Sequence, residues 1–526
     1  MTYAIRFLTC LLSVWAISTV GLAAERVTLL HTNDLHGRLL PFDVAPGSAT
    51  SQTGDPGREE AQFDGAGTIG GVAWLAQAIE SERETRPDNT VVLLDAGDTF
   101  GDSYIGNATR GEAMIEAMNA IGYDMMALGN HDFDYGLERT QTLARTAEFP
   151  IRGANVREPD GTPVLGRPWQ VFKRGGIRVA VLALGYQNTN ETGNPDNFST
   201  LKFGDGIAAA REYLPRMRAA ADVVVVLSHQ GTAVDRALAR SVDGIDLIVG
   251  GHSHDRIAPP ERIGDTFIVQ AMADGAMLGV TELVFDEDGR LEGVESRAQP
   301  VWHADFEADP AVAELVAGYV EPHRGRMEAV LSLAVDRIDR QYKSPSAFDR
   351  IVGEAMRDQT GTDVALMPGV GYGVSISPGP VTRKKLYTLL PHPAKLVTLE
   401  LTGAQVGSVL EQSATNLAPA EPLDEVGGLV QTAGIGYTID FRKPIGERVH
   451  DIVIDGRSLQ PNRSYTVATN TGMARGLHRY AAFTNAENMT IHDLTVTDVM
   501  AQALKTRNIL TAPPMNEVRL IRAVAE

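Results

Sequence analysis

Seven residues able to ligate a metal fall where five predicted strands end. They are Asp34 and His36 in HTNDLHG, Asp98 in LLDAGD, Asn130 in ALGNHDFD, His229 in VVVVLSH, and His252 and His254 in VGGHSH. Stretches such as 91–94 and 223–227 read as short strands buried on both faces, the pattern of a parallel sheet. Open α/β sheets place their ligands beyond the carboxyl ends of such strands, so residues far apart in sequence can converge on one rim. Asp, Asn and His make a mixed oxygen and nitrogen site suited to Mn, Zn, Fe or Co, with Mg a further option. Seven donors exceed one tetrahedral ion and suit two ions sharing a carboxylate.

The 526 residues allow two or three domains with a large core. A net charge of −20 excludes a nucleic-acid polymer as partner, because phosphate neutralisation needs clustered Lys and Arg. It leaves room for a small anionic substrate, since bound cations can dominate the local field. Residues 1–23 read as a signal peptide, with Arg6 in the n-region, an apolar run from 7 to 20 and a small-residue cleavage site at Gly21-Leu22-Ala23. The sole cysteine, Cys10, lies in that segment, so the mature chain is expected to carry none. The expected location is periplasmic or secreted, with no membrane span after cleavage.

Strands and helices alternate from Arg26 to about Val301. Helices are expected at 71–83, 113–120, 137–146, 206–220 and 232–241, the last with a capping box of Thr232 and Asp235. This alternation argues for a parallel sheet with helices on both faces. The polar segment 41–70 is a long loop in a position to cover the site. Asp309-Pro310 starts a linker helix that runs to about Tyr319 and, past a kink at Pro322, towards Leu333. A second α/β region follows, with a helix near 349–359, strands at 364–367, 397–401, 435–441 and 465–468, and a helix capped at Thr402. The expected division is 1–23, 24–305, 306–335 and 336–526.

The chemistry follows from charge. Two divalent cations lower the pKa of a shared water enough to supply hydroxide and neutralise a phosphoryl group. A proton donor for the leaving group is still needed. His131, beside Asn130, is the candidate, and Asp134 can orient its imidazole and favour the cation. Asp134 also suits a cap on a helix beginning near Tyr135.

These motifs resemble the calcineurin-like metallophosphoesterases. In the order HTNDLHG, DAGD, GNHDFD, SH and GGHSH they are most similar to the exported 5′-nucleotidase and 2′,3′-cyclic phosphodiesterase family. That resemblance implies a metallophosphoesterase sandwich joined through a linker helix to a C-terminal α/β substrate domain, with a hinge rotation bringing the substrate to the metals. It implies that Asp34, His36 and His254 hold one ion, that Asn130, His229 and His252 hold the other, and that Asp98 bridges. It gives His131 and Asp134 the catalytic places. The expected activity is hydrolysis of phosphate monoesters, 5′-nucleotides or related small molecules, as in nucleotide catabolism.

The C-terminal region departs from the family where a nucleoside should bind. The family's Asn-Gly-Gly-Gly-Ile-Arg is replaced by Pro368-Gly369-Val370-Gly371-Tyr372-Gly373, so Gly373 stands for the arginine. Pro391-His392-Pro393-Ala394 replaces Pro-Phe-Gly-Asn. Gly472 stands for an aromatic, and Gly476-Leu477-His478-Arg479-Tyr480 for Gly-Gly-Asp-Gly-Tyr. Base stacking on one aromatic is worth about 1–3 kcal/mol, so this loss removes much of a nucleotide's affinity. Tyr372, His392, His478, Arg479 and Tyr480 are the substitute candidates. The stretch Gly427-Gly428-Leu429-Val430, followed by GYTIDF and IGERV, resembles the Sox-type sulfate thiohydrolases. Under that alternative the substrate is a cysteine S-thiosulfonate on a carrier protein.

Overall fold

The computed structural model describes residues 26–48, 62–87, 90–370, 374–421, 424 and 426–522. The stretch read as a signal peptide and Cys10 lie outside them, as do Gly373, Tyr372 and the middle of the 41–70 loop. The ends of that loop pair as a short hairpin, Phe42–Val44 against Gly67–Ile69. None of its described residues lines the cleft described below, which leaves the expected cover without support there.

The first half contains two six-stranded sheets, the sandwich that the resemblance implies rather than the single sheet that the alternation alone suggests. In the first, Arg26–Thr32, Val91–Asp95, Met125–Ala127 and Ile151–Arg152 run parallel, with Met277–Phe285 and Leu291–Pro300 added antiparallel. In the second, Ile177–Leu184, Val223–Ser228, Leu247–Gly250 and Thr266–Ala271 run parallel, flanked by the antiparallel strands Trp169–Arg174 and Arg256–Ile263. Val27, Leu29, Val92 and Leu94 of the first sheet share a core with Val181, Val225, Leu227 and Val249 of the second. Helices Val72–Glu84 and Glu112–Ile121 cover the outer face of the first sheet, and Gly206–Ala220 and Thr232–Ser241 that of the second. The strands read as hydrophobic runs because both faces of each sheet are buried, one by the partner sheet and one by helices.

Asp309 caps the next helix, Pro310–Val320, accepting from the Val312 N–H with Pro310 in the first turn. Val312, Val316 and Val320 seat it on the first half. It does not run on to Leu333. A 3-10 turn at Glu321–His323 and one short turn at Arg324–Met327 precede a strand, Val330–Ala334, which pairs with Gly379–Thr382 and Ile509–Leu510. The second half has its own cores around a five-stranded sheet and helices Ala347–Thr360, Gly403–Leu417 and Val496–Arg507. Thr402 and Gln405 form the capping box of Gly403–Leu417. The box expected at Thr232 is absent. Gly231 is the N-cap, Thr232 Oγ1 turns to Ser253 and Asp255, and Asp235 accepts from Ser228 Oγ at 2.5 Å.

Candidate active site

The seven expected donors meet at one edge of the sandwich, where both sheets end. Asp34 and His36 follow Arg26–Thr32, Asp98 follows Val91–Asp95 and Asn130 follows Met125–Ala127, three adjacent strands of the first sheet. His229 and the pair His252 and His254 follow adjacent strands of the second. Asp34, His36, Asp98, His252 and His254 all have positive φ, between 47° and 69°. Left-handed backbone costs a non-glycine residue about 1–2 kcal/mol. Concentrated at one rim, it turns the chain sharply after each strand so that the side chains face one another.

Two donor sets result. Asp34, His36 and His254 form one, and Asp98, His229 and His252 the other, with ligand atoms in each within 4.8 Å of one another. His36 Nε2 and His254 Nε2 face each other at 3.0 Å, and Asp34 Oδ1 lies 3.3 Å from the latter. Asp98 Oδ2 is 3.0 Å from His229 Nε2. Asn130 Oδ1 is buried with no hydrogen-bond partner. Converging imidazole nitrogens, carboxylates and an orphaned amide oxygen, all but His252 buried, are the chemistry that divalent cations satisfy.

The partners behind these donors fix their direction. His229 Nδ1 donates to Ala96 O at 2.7 Å, and His36 Nδ1 to Asp102 Oδ2 at 3.2 Å, so Nε2 of each ring faces the site. Tyr186 stacks on His252 at 4.0 Å. Burial, then repulsion from His229, lowers the His252 imidazole to about 3, so it is neutral and fit to ligate. Burial alone would raise the Asp98 carboxyl, but His229 and His131 hold it well below the usual carboxylate range.

His131 and Asp134 sit beside these sets. His131 Nδ1 lies 2.8 Å from Asp134 Oδ2. Burial would lower this imidazole, yet the charges of Asp102, Asp134 and Asp98 hold it well above the ordinary histidine value, so it carries a proton to donate. Asp134 does not cap the helix that follows: Leu137–Thr146 has Gly136 at its N-cap and no side-chain capping bond.

Two carboxylates escaped the sequence reading. Asp102, buried, touches His36, His131 and His392. Asp132, also buried, accepts from the N–H groups of Asp98, Thr99 and Gly129 at 2.7–3.1 Å and so joins two ligand loops. Asp132 lies inside GNHDFD and was within reach of the motif. Asp102 stands in a turn-rich loop with no pattern to mark it.

Gly129 shows why the motif before Asn130 needs a glycine. A Cβ there would lie 2.1 Å from Asp98 Oδ1 and 2.4 Å from Asp98 N. Gly129→Ala must therefore displace the Asp98 carboxylate. A shift of about 1 Å can cost on the order of a hundredfold in rate. The variant should fold, judged by circular dichroism, while kcat falls by about that factor.

A cleft of about 690 Å³ runs from these donors to the second half of the chain. His392, Gly472 and His478 line it, opposite Arg110 and Asn194. Two substitute candidates do not. Tyr480 is 1% exposed in the core of the second half, and Arg479 turns to Asp424. Burial lowers the His478 imidazole to about 4, so it is a neutral wall of the cleft.

A two-sheet sandwich with paired Asp, Asn and His donor sets at its rim defines the class: a metal-dependent phosphoesterase of α/β architecture. Comparison with known proteins agrees. Residues 27–256 match the calcineurin-like phosphoesterase domain and residues 326–485 the 5′-nucleotidase C-terminal domain. The chain is 24% identical over 509 residues to protein UshA of Yersinia enterocolitica, spanning 86% of each. It superposes with a TM-score of 0.84 on a 5′-nucleotidase precursor from Thermus thermophilus, at 26% identity over 95% of this chain and 100% of that one. It superposes with a TM-score of 0.85 on the sulfate thiohydrolase SoxB of the same organism, at 25% identity over 95% and 97%. The chain belongs to the two-domain 5′-nucleotidase family, and is a hydrolase of phosphate esters that works with two divalent metal ions.

Proposed function

We propose that this chain is an exported phosphomonoesterase in which Asp34, His36 and His254 hold one ion, Asn130, His229 and His252 the other, and Asp98 both. Bound there, the ions supply an activated water and neutralise the ester's oxygens. The chain's own residues do the rest. His131 donates its proton to the leaving oxygen. Asp134 keeps the ring in place through Nδ1, leaving Nε2 to face the substrate. The backbone N–H of His131 donates to Asp98 Oδ1 at 2.7 Å, so the donor and the shared carboxylate hold a fixed spacing. The observation that carries this reading is the convergence of both donor sets and the His131–Asp134 pair at the mouth of one cleft. Export rests on the leader read at residues 1–23.

In the same reading the substrate is selected by its phosphate and leaving alcohol rather than by a nucleobase. Gly472 and His478 occupy cleft positions where the family carries an aromatic and a carboxylate. At these two positions a 5′-nucleotide therefore finds neither a stacking ring for its base nor a carboxylate for its ribose. AMP and ribose 5-phosphate share the same leaving alcohol and differ in the base, so their ratio isolates recognition of the base. The expected preference in kcat/KM for AMP is within about tenfold, roughly 1.4 kcal/mol. A preference above about a thousandfold, roughly 4 kcal/mol, would overturn the reading. The likeness to a sulfate thiohydrolase supports a second reading, hydrolysis of a cysteine S-thiosulfonate on a carrier protein. Turnover of that substrate with none of either sugar phosphate would favour it.

A further inference from the structure

One side chain crosses from the second half of the molecule to the catalytic pair of the first. His392 lies on the turn between helix Arg383–Leu389 and strand Lys395–Thr402. Its Nε2 lies 2.8 Å from Asp102 Oδ1 and 3.4 Å from Asp134 Oδ2. Its ring stacks on that of His131, with centroids 5.3 Å apart and planes 16° from parallel. His131 Nδ1 in turn lies 2.8 Å from Asp134 Oδ2 and 3.4 Å from Asp102 Oδ2. Two imidazoles thus share the same two carboxylates, and one imidazole belongs to the other half of the chain.

The turn that carries His392 is held against the first half. Asn107 Nδ2 donates to Pro391 O at 2.8 Å, and the Arg38 guanidinium donates to Thr388 O at 3.2 Å. Asn107 also accepts from the Tyr135 hydroxyl at 2.5 Å, and Tyr135 directly follows Asp134. Seating this turn and setting Asp134 are therefore linked through one side chain as well as through His392 itself.

We propose that His392 is a positioning residue for the phosphoester reaction, reaching across the cleft to fix the His131–Asp134 pair so that full catalytic geometry exists only when the two halves are in contact. The inference rests on His131 being the proton donor. The physical argument is restraint. Asp134 is partly exposed and stands at the end of a 3-10 turn, and His392 Nε2 adds a second contact on the Asp134 oxygen that His131 uses. His392 takes up Asp102 Oδ1, leaving Oδ2 to His36 and His131. It also covers one face of the His131 ring. Small losses of such restraint are costly in rate because the donor must meet the leaving oxygen at hydrogen-bond distance.

The test is a double-mutant cycle on turnover of an alkyl phosphate, with ion content and thermal midpoint recorded for each variant. His392→Phe keeps a ring over His131 and loses the donor; His392→Gln keeps a donor and loses the ring. His392→Phe is expected to retain two ions and lose about tenfold or more in kcat, with KM changed less than about threefold. His392→Gln should recover part of that loss. In a His131→Ala background the His392→Phe change should cost almost nothing, because there is no donor left to position. A His392→Phe enzyme with normal kcat overturns the inference, and so does a loss that persists in full without His131. If His392→Phe does not fold, His392→Gln carries the same cycle. A normal rate in His131→Ala alone would instead sink the donor assignment, so the two failures are distinguishable.

Discussion

His131→Ala is expected to keep both metal ions and lose about 10²–10⁴-fold in kcat, the usual contribution of positioned acid catalysis. That is about 3–5 kcal/mol of transition-state stabilisation. The metal sites should survive because the link from residue 131 to Asp98 is a backbone N–H, which alanine also supplies. The loss should depend on the leaving group. An alkoxide leaves poorly without a proton, whereas a nitrophenolate departs unaided. Alkyl phosphates should therefore fall by the larger factor and p-nitrophenyl phosphate by the smaller. Equal losses on both, together with lost metal, would show that His131 acts on the ions rather than on the leaving oxygen. Steady-state rates on the two esters check this.

Asp98→Asn should be more damaging than any other single ligand change. Its Oδ1 accepts from the His131 N–H and its Oδ2 faces His229 Nε2. An amide must turn its NH₂ towards one of these two groups and gives up the charge that would serve two cations at once. Outer-shell changes at metal sites typically cost 10–100-fold, so loss of the shared carboxylate should cost at least about 10³-fold. Ion content should fall with it, in contrast to His131→Ala. Turnover and metal analysis on the same preparation separate the two variants.

The site was more legible in the sequence than the fold around it. Each donor follows a hydrophobic run, and a run ending in Asp, Asn or His is visible without knowing where it sits. What the runs do not reveal is which sheet they join. Val223–Ser228 is buried on both faces, whether by helices alone or by a helix layer and a second sheet, so the alternation alone suggests one sheet, and the two-sheet sandwich was legible only through the resemblance of the metal motifs. Local patterns failed where tertiary partners competed. Thr232 and Asp235 have capping-box spacing, but Ser253, Asp255 and Ser228 claim their side chains. Asp134 has the place of a cap and serves His131 instead. The helix expected beyond Pro322 gives way to Val330–Ala334, whose outward residues Val330 and Leu333 are exposed. Among the residues offered as substitutes in the cleft, His392 and His478 line it, whereas Tyr480 fills the core. Sequence cannot tell a buried aromatic from a cleft aromatic when both follow the same turn. Asp102 was invisible for a related reason: its importance comes from His392, nearly three hundred positions away, and no local spacing records that contact.

The measurement that bears most directly on this account is metal content against activity for the purified protein. Elemental analysis after mild purification should give close to two divalent ions per chain. Exhaustive chelation should abolish phosphatase activity, and adding back a divalent ion should restore it as the ratio approaches two. A chain that retains full activity on a phosphate ester with no bound ion, or that saturates in activity at one, would contradict the two-ion site at the edge of the sandwich.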